Sequence, residues 1–215
     1  SAGEIQEIAL DGVAKFPTGT PLYIRPFMWS TAGWMAPDPA STRIVISLTP
    51  EAMPEPKGTS VMLSRFRRPS PETAPTDAKA SCLSTNSARG VAEMLGRGFQ
   101  NGIVLDALGN VAETCSSNVF LGIGGRVVTP VPNGTFLAGI TRNRTITLLR
   151  QAGVVVEERT VRPAELESAD EIFTTGNAGK VQPVIHYQGR DLQPGPLGRR
   201  AAELYMAYAQ SQRIT

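Results

Sequence analysis

Histidine is almost missing from this chain and cysteine is scarce: the 215 residues hold one histidine, His186, and two cysteines, Cys82 and Cys115. A lone histidine leaves no cysteine–histidine zinc set, so no metal site is expected. It also argues against a Ser-His-Asp relay, because His186 stands beside Tyr187 in a strand-like run. Two cysteines make no disulfide framework and read as unpaired small thiols of a cytoplasmic chain. Aromatic residues reach 6% and the formal charge is +2. The arginines are scattered except for Arg65, Arg67 and Arg68, so no nucleic-acid partner is indicated. No apolar run approaches the length of a membrane span, and no signal-peptide pattern opens the chain.

What is present is a long alternation of short strands and amphipathic helices. Residues 4–16 place Ile5, Ile8, Ala9, Gly12, Val13 and Phe16 on one helical face, stopped by Pro17 and Gly19. Strands are predicted over Leu22–Trp29, Thr42–Leu48 and Ser60–Phe66, with Pro26 marking an edge or bulge. Residues 67–76 carry Pro69, Pro71 and Pro75 and read as a stiff linker. A helix over 81–97 follows, then a strand over Gly102–Leu105, a turn at Leu108-Gly109-Asn110 and a return through Val111 to Glu113. A hairpin over Asn118–Ile123 and Arg126–Thr129 turns at Gly124-Gly125. Gly139 opens a helix to about Gln151. Strands are predicted over Val154–Val161, Glu171–Thr175 and Val181–Tyr187, a helical turn over Pro163–Ser168, and a closing helix over 195–211. Strands outnumber helices and hairpins are common, so the class is α+β. The division is a small domain over 1–66, a linker over 67–76 and a large domain over 77–215.

Three segments carry candidate chemistry. Lys79 lies among Ala78, Ala80, Cys82 and Leu83 with no acid following nearby; an amine in such surroundings can be held neutral and attack an aldehyde. Glu113 could hold a proton on a heterocyclic nitrogen. Gly139-Ile140-Thr141 at a helix start offers N–H groups, a hydroxyl and the positive end of the helix dipole to a phosphate. The small-residue turn Gly176-Asn177-Ala178-Gly179 could complete that cup.

In order along the chain, Lys79, Leu105-Asp106, Gly109-Asn110-Val111-Ala112-Glu113 and Asn118-Val119-Phe120 resemble the fold-type IV pyridoxal-phosphate enzymes, the class IV aminotransferases. So do Leu137-Ala138-Gly139-Ile140-Thr141-Arg142, Ala169-Asp170-Glu171-Ile172-Phe173 and Thr175-Gly176-Asn177. Tyr23-Ile24-Arg25-Pro26 is similar to the branched-chain branch. The resemblance implies a two-domain fold, a homodimer and pyridoxal 5'-phosphate as cofactor. It implies Lys79 as the internal-aldimine and proton-transfer lysine and Glu113 as partner of the pyridine nitrogen. Leu137, Ile140, Thr141 and Asn177 would lie around the phosphate; Tyr23, Arg25, Ala178 and Gly179 would border the substrate. The implied reaction moves an amino group from branched-chain L-amino acids to 2-oxoglutarate. Transamination of D-amino acids or amines, cleavage of aminodeoxychorismate, and a relative without turnover are the alternatives. The sequence departs from the family at Ser84, where tyrosine is usual, and the resemblance places half of the small domain ahead of Ser1, which implies an N-terminally truncated small domain.

Overall fold

The computed structural model describes residues 1–212 and divides into two compact units, Ser1–Pro54 and Glu55–Thr215. In the first, helix α1 (Ala2–Val13) accompanies an antiparallel pair, β1 (Leu22–Ser30) and β2 (Thr42–Pro50), in register from Leu22↔Pro50 to Ser30↔Thr42. The helix starts earlier than its apolar stripe because Ser1 caps it, with Oγ accepting the Glu4 N–H at 3.3 Å. A Cβ on Gly12 would stand 2.8 Å from Leu48 Cδ1, so the glycine lets α1 approach β2 closely. Pro26 is tolerated because β1 has a strand neighbour on one side only. The loop between the strands is fastened by Ser41, whose Oγ meets Ser30 Oγ at 2.6 Å and accepts the N–H groups of Thr31 and Ala32.

The second unit begins with β3 (Thr59–Arg67), followed by a 3-10 turn (Ser81–Leu83), α2 (Ser84–Leu95), β4 (Asn101–Leu105), β5 (Val111–Thr114), β6 (Asn118–Ile123) and β7 (Arg126–Pro130). Then come α3 (Ile140–Gln151), β8 (Val156–Arg159), α4 (Pro163–Ser168), β9 (Glu171–Gly176), β10 (Lys180–Tyr187), β11 (Arg190–Asp191) and α5 (Pro196–Ser211). Nine strands form one sheet in the order β5-β4-β3-β10-β9-β6-β7-β8, with β11 on β10 off that path. The strand-rich, hairpin-rich make-up is the α+β class the sequence indicates.

The domain division differs from the one expected. β3 pairs in parallel with both β4 and β10 and therefore belongs to the second unit, so the boundary falls at Pro54 rather than in residues 67–76. The proline-rich stretch is a loop of that unit.

Alternation along β6 and β9 sets two cores. Val119, Leu121 and Ile172 face one side with Val61, Ile103, Val128, Leu166 and Val184. Phe120 and Phe173 face the other with Ile146 and Leu149 of α3 and Ala201 of α5, their rings stacked at 5.0 Å. Burial on both faces is why β6 reads as a continuous apolar run rather than an alternating one. Gly109, at φ 86, supplies the left-handed turn between β4 and β5, where Asp106 Oδ1 accepts the N–H groups of Leu108 and Asn110.

Candidate active site

The site is built where four connections of the second unit meet. Glu113 sits in β5 opposite Val104 of β4. Just beyond it Thr114 folds the chain back: its Oγ1 accepts the N–H groups of Ser116 and Ser117, and its own N–H reaches Ser117 O. That turn returns Asn118 to Glu113, with Asn118 Nδ2 3.3 Å from Glu113 Oε2. The other carboxylate oxygen, Oε1, lies 3.3 Å from Arg68 Nε.

Arg68 follows β3. Its backbone N–H donates to Leu105 O, and its Nε also donates to Thr135 O at 2.9 Å. Both members of the pair are nearly withdrawn from water, with side chains 9% and 13% exposed. Burial pushes the Glu113 carboxyl up from an ordinary 4.5 to about 7, against the pull of the Arg68 guanidinium and then the Lys79 ammonium. Lys79 and Glu113 therefore lie near enough to sense each other's charge.

Lys79 lies in the loop ahead of the 3-10 turn. The loop is anchored by buried Thr76, whose hydroxyl donates to Gly134 O, and by turns that join Thr76 N–H to Ala74 O and Ala78 N–H to Pro75 O. The small, apolar neighbours read from the sequence do not seclude Lys79, which is exposed. Ser84, the departure noted above, opens α2 and is also exposed.

The phosphate-cup candidates form the start of α3. Gly139 is the N-cap, without a side-chain cap, so first-turn N–H groups remain free to meet an anion. Thr141 is buried and Ile140 is exposed. Asn118 ties this start to Glu113: its Nδ2 also donates to Leu137 O at 2.9 Å, and a Cβ on Gly139 would stand 2.4 Å from Asn118 Oδ1. Arg142 of the same segment is structural, fully buried and bonded through Nη2 to Pro130 O and Glu158.

Asn177, Ala178 and Gly179 form the turn from β9 to β10. Thr175 is in register with Asn118, and Gly176 lies against Ser117. The structure thus gathers Lys79, Glu113, Leu137, Ile140, Thr141 and the 176–179 turn within one unit. Tyr23 and Arg25 belong to the first unit, where they share a face of β1 and the Arg25 guanidinium stands 4.6 Å over the Phe27 ring. Sequence reasoning missed Arg68, Thr76 and Asn118. Arg68 did stand out as part of the one clustered run of arginines, but nothing local ties it to Glu113.

A raised carboxyl leaves a measurable trace on the chain without ligand. The folded chain binds the Glu113 proton more tightly than the unfolded chain, so stability falls as pH rises from 4.5 to about 7 and is level above that. The loss is about 3 kcal/mol at 1.36 kcal/mol per pH unit. The depressed carboxyls of Glu158 and Glu165 act only below 4.5 and in the opposite sense. Urea midpoints should drop between pH 5 and pH 7.5 in the native chain and stay level in Glu113→Gln.

An exposed amine, a buried carboxylate opposed to it and an uncapped helix start fit a small heterocycle that carries a carbonyl and a phosphate: amine to carbonyl, carboxylate to a protonated ring nitrogen, N–H groups to phosphate. The resemblances to known proteins agree with that chemistry. An aminotransferase from Brucella abortus, solved bound to the co-factor PLP, superposes with a TM-score of 0.94 at 48% identity, over 98% of this chain and 76% of that one. A branched-chain aminotransferase from Thermoproteus uzoniensis, solved with norvaline, gives 0.88 at 29% identity, over 96% of this chain and 70% of that one. A probable branched-chain-amino-acid aminotransferase of Aquifex aeolicus is 34% identical over 224 residues, 99% of this chain and 70% of its own length. This protein is an aminotransferase, an enzyme acting on amino and keto acids. The family model for amino-transferase class IV matches residues 1–187, and the chain belongs to that family. Among the described residues no helix is long and apolar enough to cross a membrane.

Proposed function

We propose that the chain performs pyridoxal-phosphate-dependent transamination of branched-chain L-amino acids with 2-oxoglutarate as acceptor. The observation that carries the reading is the buried Glu113, faced by Arg68 and Asn118 on its two oxygens and by the Lys79 charge. When bound, pyridoxal phosphate supplies an electron sink for the carbon that loses its proton.

Lys79 provides the amine that holds the cofactor's carbonyl carbon, and then moves the proton at the substrate α-carbon. Its exposure leaves the amine open to both partners. Glu113 keeps the ring nitrogen protonated, and Arg68 favours the ionised form of Glu113 that this task needs. The first turn of α3, with Ile140 and Thr141, Leu137 beside it and Asn177 from the β9–β10 turn, receives the phosphate. Ala178 and Gly179 border the substrate side chain, and Arg25, with Tyr23 beside it on β1 of the first unit, offers the guanidinium fork that reads a carboxylate.

The branched-chain preference is supported by Tyr23-Ile24-Arg25-Pro26 and by the names of the Aquifex and Thermoproteus proteins. Cytoplasmic placement is supported by free thiols at Cys82 and Cys115. A homodimer is supported by exposed Phe27, Met28, Trp29, Trp34 and Met35 in the first unit.

The test is spectroscopic. Protein loaded with pyridoxal phosphate should absorb in the visible, and L-leucine should bleach the band while 2-oxoglutarate restores it. Bleaching by D-alanine but not by L-leucine would overturn the branched-chain reading.

A further inference from the structure

The loop between β7 and α3, residues 131–139, has no strand or helix of its own, yet its carbonyls hold the approaches to Glu113. Gly134 O accepts the Thr76 hydroxyl of the Lys79 loop, Thr135 O accepts Arg68 Nε at 2.9 Å, and Leu137 O accepts Asn118 Nδ2 at 2.9 Å. A carbonyl in such a loop points where the local turn aims it, so whatever shapes the turn reaches the site.

Asn133 shapes it. Its Oδ1 accepts the Thr135 N–H at 3.2 Å and the Thr135 hydroxyl at 2.7 Å, and its Nδ2 donates to Asp106 Oδ2 at 2.8 Å. The amide fits only this way round, because a backbone N–H needs an acceptor and a carboxylate needs a donor. Asp106, 1% exposed, is itself fixed: Oδ1 accepts the N–H groups of Leu108 and Asn110, and Oδ2 accepts the Asn110 amide. Gly134 completes the turn at φ 85, where a Cβ would stand 3.1 Å from Pro71 Cγ. Asparagine supplies donor and acceptor at once; alanine supplies neither and aspartate only the acceptor.

The consequence falls on Arg68. Its Nε carries one hydrogen, and two acceptors stand before it: Thr135 O at 2.9 Å and Glu113 Oε1 at 3.3 Å. The hydrogen goes to the carbonyl. Glu113 then feels the Arg68 charge without a charge-assisted hydrogen bond from Nε. A carboxylate spared that bond keeps more of its basicity.

We propose that Asn133 is a positioning residue that tunes Glu113: it aims Thr135 O at Arg68 Nε and so keeps that hydrogen off the carboxylate that faces the ring nitrogen. The proposal rests on the reading of Glu113 as partner of that nitrogen. The charged and titratable groups around Glu113 are Arg68 after β3, Lys79 in its loop and Cys115 beyond β5. Cys115 stays a neutral thiol at working pH, pushed up to about 11 by burial and then by Glu113 itself.

The experiment is a carbon-13 NMR titration of the glutamate carboxyls in the full chain without ligand, with Glu113 assigned by Glu113→Gln. Wild type should titrate at about 7. In Asn133→Ala the turn is released, Arg68 Nε turns to Glu113, and the titration should move down by about one pH unit, a tenfold change in proton affinity. Asn133 is exposed, so the variant should fold. Urea midpoints check the route: their fall with rising pH should end about one unit earlier in Asn133→Ala. In a Glu113→Gln background the same substitution should leave the profile level between pH 4.5 and 7. A Glu113 titration that stays at about 7 while midpoints drop evenly at every pH would make Asn133 merely structural and overturn the proposal. An upward shift would overturn it too, since Arg68 would then have left Glu113. So would a change of slope that persists without Glu113, which would place the effect on Asp106. If wild type forms no visible band with pyridoxal phosphate, the reading of the site fails, and the ligand-free titration still decides the role of Asn133.

Discussion

Replacing Lys79 by alanine should cut transamination by about three orders of magnitude or more and abolish the visible band formed with pyridoxal phosphate. The size follows from two tasks in one amine. The proposed roles are to hold the cofactor's carbonyl carbon and to carry the proton at the substrate α-carbon, a step for which a positioned acid–base group contributes about 10²–10⁴-fold. No other described residue stands ready to take over: Lys180 is committed to Asn177 on the β9–β10 turn. Folding should be little affected, because Lys79 is exposed and its loop is anchored through Thr76 rather than through the lysine. The change should also reach Glu113. Lys79 is one of two cations that pull the Glu113 carboxyl down against burial, so its removal should extend the pH range over which stability falls to values above 7. Single-turnover absorbance with L-leucine measures the first effect and urea midpoints against pH the second. A Lys79→Ala protein that keeps the band would assign the amine elsewhere.

Glu113→Gln should lower turnover by about 10²–10³-fold, the scale on which one well-placed electrostatic partner acts in a closed site. Glutamine keeps the shape and loses the charge, so a ring nitrogen facing it no longer holds its proton. The substitution has a second cost. Arg68 is 9% exposed and loses its carboxylate, and a buried charge stripped of its partner typically costs about 3–5 kcal/mol. Part of that is returned near neutral pH, where the native carboxylate itself carries a burial penalty. The two effects are separable. Stability should lose its dependence between pH 4.5 and 7, whereas turnover should be low at every pH. Turnover within threefold of wild type would remove Glu113 from the chemistry and leave it as a structural partner of Arg68.

The contrast between Glu113 and Arg68 shows what could be read in advance. Glu113 was legible because the strand, the turn at Gly109 and the small residues after it are local signals, and their order along the chain matched a family pattern. Arg68 was not, because its meaning comes from Thr135 and Glu113, both distant in sequence. Asn118 is similar: its position at the start of β6 was readable, but its bonds to Glu113 and Leu137 depend on the tight Thr114–Ser117 turn and on the loop before α3.

The same division runs through the fold. Strand existence, the helices and the α+β class follow from periodicity and turn residues, which act over a few positions. The place of β3 does not. Its apolar alternation would suit the small unit as well as the large one, and parallel pairing with β4 and β10 decides the matter through hydrogen bonds to segments far along the chain. The sequence by itself determined the elements and the family and named the candidate site residues, because each is carried by short-range pattern or by motif order. Only the tertiary structure decided the unit boundary, the buried partners of Glu113 and the exposure of Lys79. Burial and charge pairing are properties of neighbours in space, and no local stretch of chain contains them.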